Sequence, residues 1–123
     1  MTDQTAPAKI IRNDAAQQRN TRMDYSVHDA QDSTEIRLKG RMTYSDHDTF
    51  RSVIAAFERP PGHRIVFDLS GLDFVDSSGL GMFIIAKDTA EKRNLQFTLR
   101  GARDEVQRLI TIAKFHKVFS IDD

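Results

Sequence analysis

The densest chemistry in this chain lies at Asp76-Ser77-Ser78-Gly79-Leu80-Gly81. Two hydroxyls follow an acid and precede two glycines. If Asp76 caps a helix, Ser77 takes the first helical position and Ser78 the second. The N–H groups there have no intrahelical partner. Such an end suits an anion or a phosphoryl group. A glycine this early in a helix costs about 1 kcal/mol relative to alanine. Gly79 and Gly81 therefore need a reason: close approach of a partner or enzyme to Ser77, or tight packing of the helix on a sheet. The serines themselves can be ordinary first-turn residues, nucleophiles or a switch.

The nucleophile reading lacks its supporting parts. A nucleophile elbow needs glycine two residues before the serine, and Val75 and Asp76 hold those places. No Gly-Lys-Ser/Thr ending marks a phosphate loop, and Gly79-Leu80-Gly81 is too short for a dinucleotide fingerprint. His28, His47, His63 and His116 are scattered, with no pair at metal-binding helix spacing. Asp68, Asp73 and Asp76 could be grouped as a metal site but read better as caps and solvated charge. The expectation is a protein without catalytic residues, cofactor or metal.

The surrounding elements follow from periodicity. Arg64 to Leu69 is an apolar run broken by Asp68, the mark of a strand covered on both faces. Ser70 to Asp76 reads as an acidic loop. A helix from Ser77 to Arg93 follows, with Leu80, Phe83, Ile84, the stem of Lys87 and Ala90 toward the core and Asn94 as its left-handed stop. Upstream, Met23, Tyr25 and Val27 alternate with polar residues, Ala30 to Ser33 turns, and Thr34, Ile36 and Leu38 alternate again. That is a hairpin with one wet face, ended by Gly40. Ser45 and Asp48 resemble a capping box for a helix carrying Phe50, Val53, Ile54 and Phe57. Leu95, Phe97 and Leu99 form a fourth strand. Val106, Leu109, Ile110 and Ala113 mark a third helix, and Val118, Phe119 and Ile121 a short closing strand.

The order is β-β-α-β-α-β-α-β: an α/β domain with a mixed sheet and helices mainly on one face. Residues 1–22 are polar and aperiodic and read as a flexible N-terminal tail, in which Ile10 and Ile11 could form a docking arm. The domain occupies residues 23–123. Lys+Arg and Asp+Glu are equal at 18 each, which argues against nucleic acid or an anionic membrane as the main partner. There is no cysteine for disulfides or thiolate metal sites and no apolar run of membrane-span length, and Met1-Thr2-Asp3-Gln4 lacks the basic start and apolar core expected of a secretory signal. A cytoplasmic protein is expected.

The segment Asp68-Leu69-Ser70-Gly71-Leu72-Asp73-Phe74-Val75-Asp76-Ser77-Ser78-Gly79-Leu80-Gly81 resembles the signature of STAS domains, the family of bacterial anti-sigma factor antagonists. The element order matches too, and the resemblance runs from about Met23 to Ile121. It implies that Ser77, with Ser78 as second choice, is phosphorylated by a partner that is both anti-sigma factor and serine kinase of the histidine-kinase-like ATPase type. The unphosphorylated form would bind that partner, and a PP2C-type phosphatase would restore it. The partner would contact Thr43, Tyr44, Asp46, His47, Asp73, Phe74, Asp76, Ser78, Gly79 and Met82. Phe74 and Met82 are ambiguous and could instead be core residues. The family often carries an acid just after the second strand. Here that place is Thr43, with Asp46 and Asp48 nearby as replacements. The same resemblance admits another role: an accessory subunit of a phospholipid-transport ABC system that binds its ATPase constitutively. Nucleotide binding by the domain itself is a third, weaker reading.

Overall fold

The computed structural model describes residues 22–122. The segment containing Ile10 and Ile11 lies outside them. Five strands form one sheet: β1 (Met23–Asp29), β2 (Ser33–Met42), β3 (Arg64–Val75), β4 (Gln96–Arg100) and β5 (Ser120–Asp122). Three helices connect them: α1 (His47–Ala55), α2 (Ser77–Lys92) and α3 (Asp104–Ile112). Strand order in space equals strand order in sequence. β1 and β2 are antiparallel, and every later pairing is parallel.

All three helices cover one face of the sheet. Phe50 and Val53 of α1, Phe83 and Ala86 of α2, and Val106 and Ile110 of α3 share a core with Ile36, Leu38, Ile65, Phe67, Leu69 and Leu99. Phe67 is its hub. Its ring meets Phe97 edge-on with centroids 4.8 Å apart, and Phe57, Phe83 and Phe50 at 5.9, 6.2 and 6.3 Å. The opposite face is solvated and charged. Glu35 bonds Arg37 at 2.9 Å and also pairs with Arg100, which approaches Asp68 at 3.7 Å. Val66 and Thr98, paired across β3 and β4, are buried on this face.

Several boundaries differ from the sequence reading. β3 does not stop at Leu69; it runs on to Val75, in register with Met42 of β2. Two register shifts, at Arg37/Lys39 and Gly40/Arg41, hide this extension from an alternation pattern. Ser45 does not cap α1. A 3-10 turn over Tyr44–Asp46 precedes the helix, and Asp46 bonds back to the Thr43 amide at 2.8 Å. Ala113 and Val118 are exposed, and the closing strand begins only at Ser120. Asn94 does adopt the left-handed conformation, at φ 59°.

At the amino ends of the parallel strands a polar cluster joins the buried Thr34 and His63 to the half-buried Arg59 and the exposed Asp29. The Thr34 hydroxyl donates to Asp29 at 2.6 Å. Its only proton is thereby committed, so His63 Nε2, at 2.8 Å, donates to it, as does Arg59 Nε at 3.3 Å. Arg59 also grips Asp29 through both carboxylate oxygens. The Thr34 hydrogen bond holds the Asp29 carboxyl below its ordinary range; burial opposes it, and the hydrogen bond and charge of Arg59 and then the charge of His63 add to the lowering. A depressed native value means stability that is present above the unfolded pKa and lost as pH falls through the native one. Asp29→Asn, which keeps an acceptor for Thr34, is expected to flatten the loss of stability below about pH 4 and to cost under about 1 kcal/mol at neutral pH. Urea unfolding midpoints at pH 7 and pH 3 measure both.

Candidate functional site

The carboxyl ends of β2 and β3 lie side by side, Met42 opposite Val75, while β4 ends earlier, at Arg100 opposite Asp68. In open α/β sheets this is where ligands and partners are received. The β3–α2 junction is built around Asp76. Its Oδ1 accepts from the Gly79 amide at 2.8 Å, so Asp76 is the N-cap of α2. Its Oδ2 accepts from the Tyr44 amide at 3.2 Å. One carboxylate therefore joins the start of α2 to the loop after β2. The Asp76 amide adds a bond to the Met42 carbonyl at 3.2 Å.

Ser77 stands exposed on this frame, and Ser78 is half-buried. The geometry thus separates two serines that spacing alone could not. Tyr44, beside them, is 72% exposed, and His47 and Asp73 are also exposed. Phe74 is half-buried, with the Arg41 guanidinium 4.3 Å above its ring, and so lies at the edge of the surface. Arg103, from the loop after β4, donates to the Ser70 carbonyl at 2.6 Å and approaches Asp73 at 3.9 Å. Asp68, Asp73 and Asp76 do not converge: Asp68 accepts from Ser70 on the solvated face, Asp73 faces Arg103, and Asp76 caps α2.

Three expected contact residues, Asp46, Met82 and Gly79, are buried. Asp46 is fully buried, its Oδ1 accepting from the Met23 amide at 3.1 Å and its Oδ2 from the Thr43 amide. It fastens β1 to the loop after β2 and cannot replace a surface acid at Thr43. Thr43 is half-buried, with its hydroxyl 3.0 Å from that of Ser45. Met82 is fully buried and belongs to the core. Gly79 is buried as well. A Cβ there would meet the Met42 carbonyl oxygen at 2.6 Å and Val75 Cγ1 at 2.7 Å. Gly79 serves tight packing of α2 on β2, while Gly81, with nothing within 4 Å of its Cβ position, opens the surface.

The sequence reading missed Ile84 and Ile85. Ile84 was assigned to the core, yet both are 51% exposed. The buried side of α2 is Gly79, Met82, Phe83, Ala86 and Ala90. Its outer side is the exposed Ser77, Ile84, Ile85 and Asp88 with the half-buried Gly81 between them, a line at helical spacing that begins at the serine. The signal was there: every large apolar residue from Leu80 to Ile85 cannot face the sheet at once. A methyl group tests the two glycines against each other. Gly79→Ala gains about 1 kcal/mol of helix propensity but overpacks a backbone oxygen at a cost of about 1–3 kcal/mol. A net loss of about 1 kcal/mol is expected, against a gain of about 0.5–1 kcal/mol for Gly81→Ala, both read from urea unfolding.

The molecule is thus an open-faced α/β domain in which the loops at the carboxyl ends of β2 and β3 meet beside Ser77, exposed at the start of α2. The chain belongs to the STAS domain family, whose model matches residues 24–123. A STAS-domain containing protein of Pseudomonas aeruginosa is 33% identical over 93 residues, covering 76% of this chain and 90% of that protein. Among solved structures, an anti-sigma factor antagonist from Mycobacterium paratuberculosis superposes with a TM-score of 0.70 at 22% identity, over 81% of this chain and 85% of that one. An anti-sigma-factor antagonist (STAS) domain protein from Planctomyces limnophilus gives 0.71 at 14% identity, over 80% of this chain and 89% of that one. At these identities the two structures establish the fold.

Proposed function

We propose that this protein is an anti-sigma factor antagonist that works as a partner switch and has no catalytic role of its own. The observation that carries the reading is Ser77: an exposed hydroxyl at the start of α2, heading a line of exposed residues that includes Ile84 and Ile85. In the unphosphorylated form this line, with Tyr44 across the Asp76 bridge, is the docking surface for an anti-sigma factor of the histidine-kinase-like ATPase type. That partner phosphorylates Ser77 and is thereby released. A PP2C-type phosphatase resets the switch. Solved antagonists with the same fold support the reading. So does the chemistry of the site, which offers a phosphate-tolerant helix start and a modest apolar strip beside it.

The experiment is capture of partners from the native host on immobilised full-length protein, with Ser77→Ala and Ile84→Glu alongside, followed by phosphopeptide mapping after addition of ATP. A serine kinase retained by wild type and Ser77→Ala, lost with Ile84→Glu, and modifying Ser77 is the expected result. Stable capture of an ABC-type ATPase, indifferent to every change at Ser77, would replace this function with that of a transport-system accessory subunit. Modification at Ser78 or Thr43 would move the site.

A further inference from the structure

The outer edge of β1 has the geometry of a self-complementary interface. Among the described residues β1 pairs with β2 alone. The register runs from Met23↔Gly40 to Asp29↔Thr34, and the Ala30 amide continues it by donating to Ser33 O at 2.8 Å. Antiparallel pairing alternates, so even-numbered residues of β1 turn their backbone groups toward β2 and odd-numbered residues turn theirs outward. The odd amides agree: Met23 N donates to Asp46 Oδ1, and Tyr25 N donates to the neighbouring Asp24 Oδ1 at 2.9 Å, neither of them to β2. Tyr25 and Val27 therefore present ladder groups to the outside. Met23–Asp29 contains no proline, lysine or bulge of the kind that guards edge strands.

We propose that β1 pairs antiparallel with β1 of a second copy, about a two-fold axis at Ser26. In that register Tyr25 lies opposite the second copy's Val27. Both are outward-facing, so the two exchange N–H···O bonds on each side of the axis. Both side chains lie on the core face. Val27, 38% exposed, gains cover from a tyrosine that already packs on the core margin. On the solvated face Asp24 lies opposite His28, an acid against an imidazole, in the closely spaced type of pair. In the single chain these groups make only local bonds, Asp24 to the Tyr25 amide and His28 Nε2 to Ser26 Oγ at 2.8 Å. Moving the axis to Val27 sets Tyr25 against Asp29 and Asp24 against Ala30, and loses the pairing of acid with imidazole. A slip of one residue puts the two faces out of phase. The result is one continuous sheet with all helices on one side. The strand directions reverse across the axis, so the two Ser77 sites point away from each other and each stays open.

Sedimentation velocity of the full chain over a wide concentration range tests this pairing. A reversible monomer–dimer equilibrium is expected, weak because an edge contact is small. Val27→Pro removes an outward N–H while sparing the ladder to β2, and is expected to weaken dimerisation at least tenfold. His28→Asp sets acid against Asp24 and is expected to weaken it about tenfold, since the axis repeats every pair. Adding Asp24→Lys to His28→Asp is expected to restore it. A chain that stays monomeric throughout overturns the proposal, as does a dimer that neither variant weakens. Slow hydrogen exchange at the Tyr25 and Val27 amides in a monomer would also overturn it, by assigning the edge to residues 1–21.

Discussion

Stoichiometric phosphorylation of Ser77 is expected to weaken binding of the anti-sigma partner at least about 100-fold, or about 2.7 kcal/mol, while leaving the fold in place. The two halves of this outcome have different causes. Phosphorylation adds about 1.5 to 2 negative charges at neutral pH. They arrive on an exposed side chain next to Asp76 and near Asp73. A partner seated over Ser77 and Ile84 would bury that charge against Asp76, and among the described residues the nearby cations are already engaged: Arg103 with Ser70, Asp73 and Asp104, and Arg41 over Phe74. The domain itself tolerates the group. Within α2 the Gly79 amide is taken by the Asp76 side chain and the Leu80 amide by the Asp76 carbonyl, but those of Ser77 and Ser78 have no intrahelical acceptor and can face a phosphoryl oxygen. The helix start favours negative charge by about 0.3–1 kcal/mol. Titration calorimetry on phosphorylated and unmodified protein reads the first effect, and thermal unfolding of the same samples the second. Ser77→Asp, with one charge and a shorter reach, should lose about tenfold. Full-strength binding by the phosphorylated protein would end the switch mechanism.

The largest expected effect on stability is that of Phe67→Ala, about 3–5 kcal/mol. Phe67 is fully buried on the central strand, and four other rings close around it. Those rings come from α1, the segment after it, α2 and β4, so the cavity cannot be filled by movement of one element. A loss of that size approaches the whole stability of many domains. Phe67→Leu, which keeps much of the volume, should cost about 1–2 kcal/mol. Phe74 sits seven residues along the same strand but is half-buried under Arg41, and Phe74→Ala should cost under about 1.5 kcal/mol. Urea unfolding of the three variants ranks them. A Phe74 effect equal to that of Phe67 would contradict the placement of the core.

Periodicity revealed the order of elements because the sheet has one wet face, so β2 alternates cleanly through Thr34, Ile36 and Leu38. It also revealed the Asp76 cap, which depends only on local geometry. It failed where tertiary contacts decide. The run Ser70–Val75 contains glycine and two polar residues and looks like a loop, yet it pairs with β2 beyond two register shifts. Asp46 looks like one acid among several in a polar loop. Its burial depends on the Met23 amide, 23 residues earlier. The exposed side of α2 was hidden because its apolar residues run nearly all the way around, so a stripe centred on Leu80 and Ile84 fits the spacing as well as the true one at Met82, Phe83 and Ala86. Ile84 and Ile85 became legible as surface only once the sheet fixed which side of the helix faces inward.

The identity of spatial and sequence strand order bears on how the chain acquires its shape. Each new strand finds its neighbour already in place, and no strand must be inserted between two others. The β1–β2 hairpin needs only the short turn after Asp29, and each parallel addition needs one crossover. Such short-range pairing lowers the entropy that must be lost before contacts form. The sheet can therefore grow from one side to the other as the polypeptide leaves the ribosome, with the three-residue β5 added after the four longer strands.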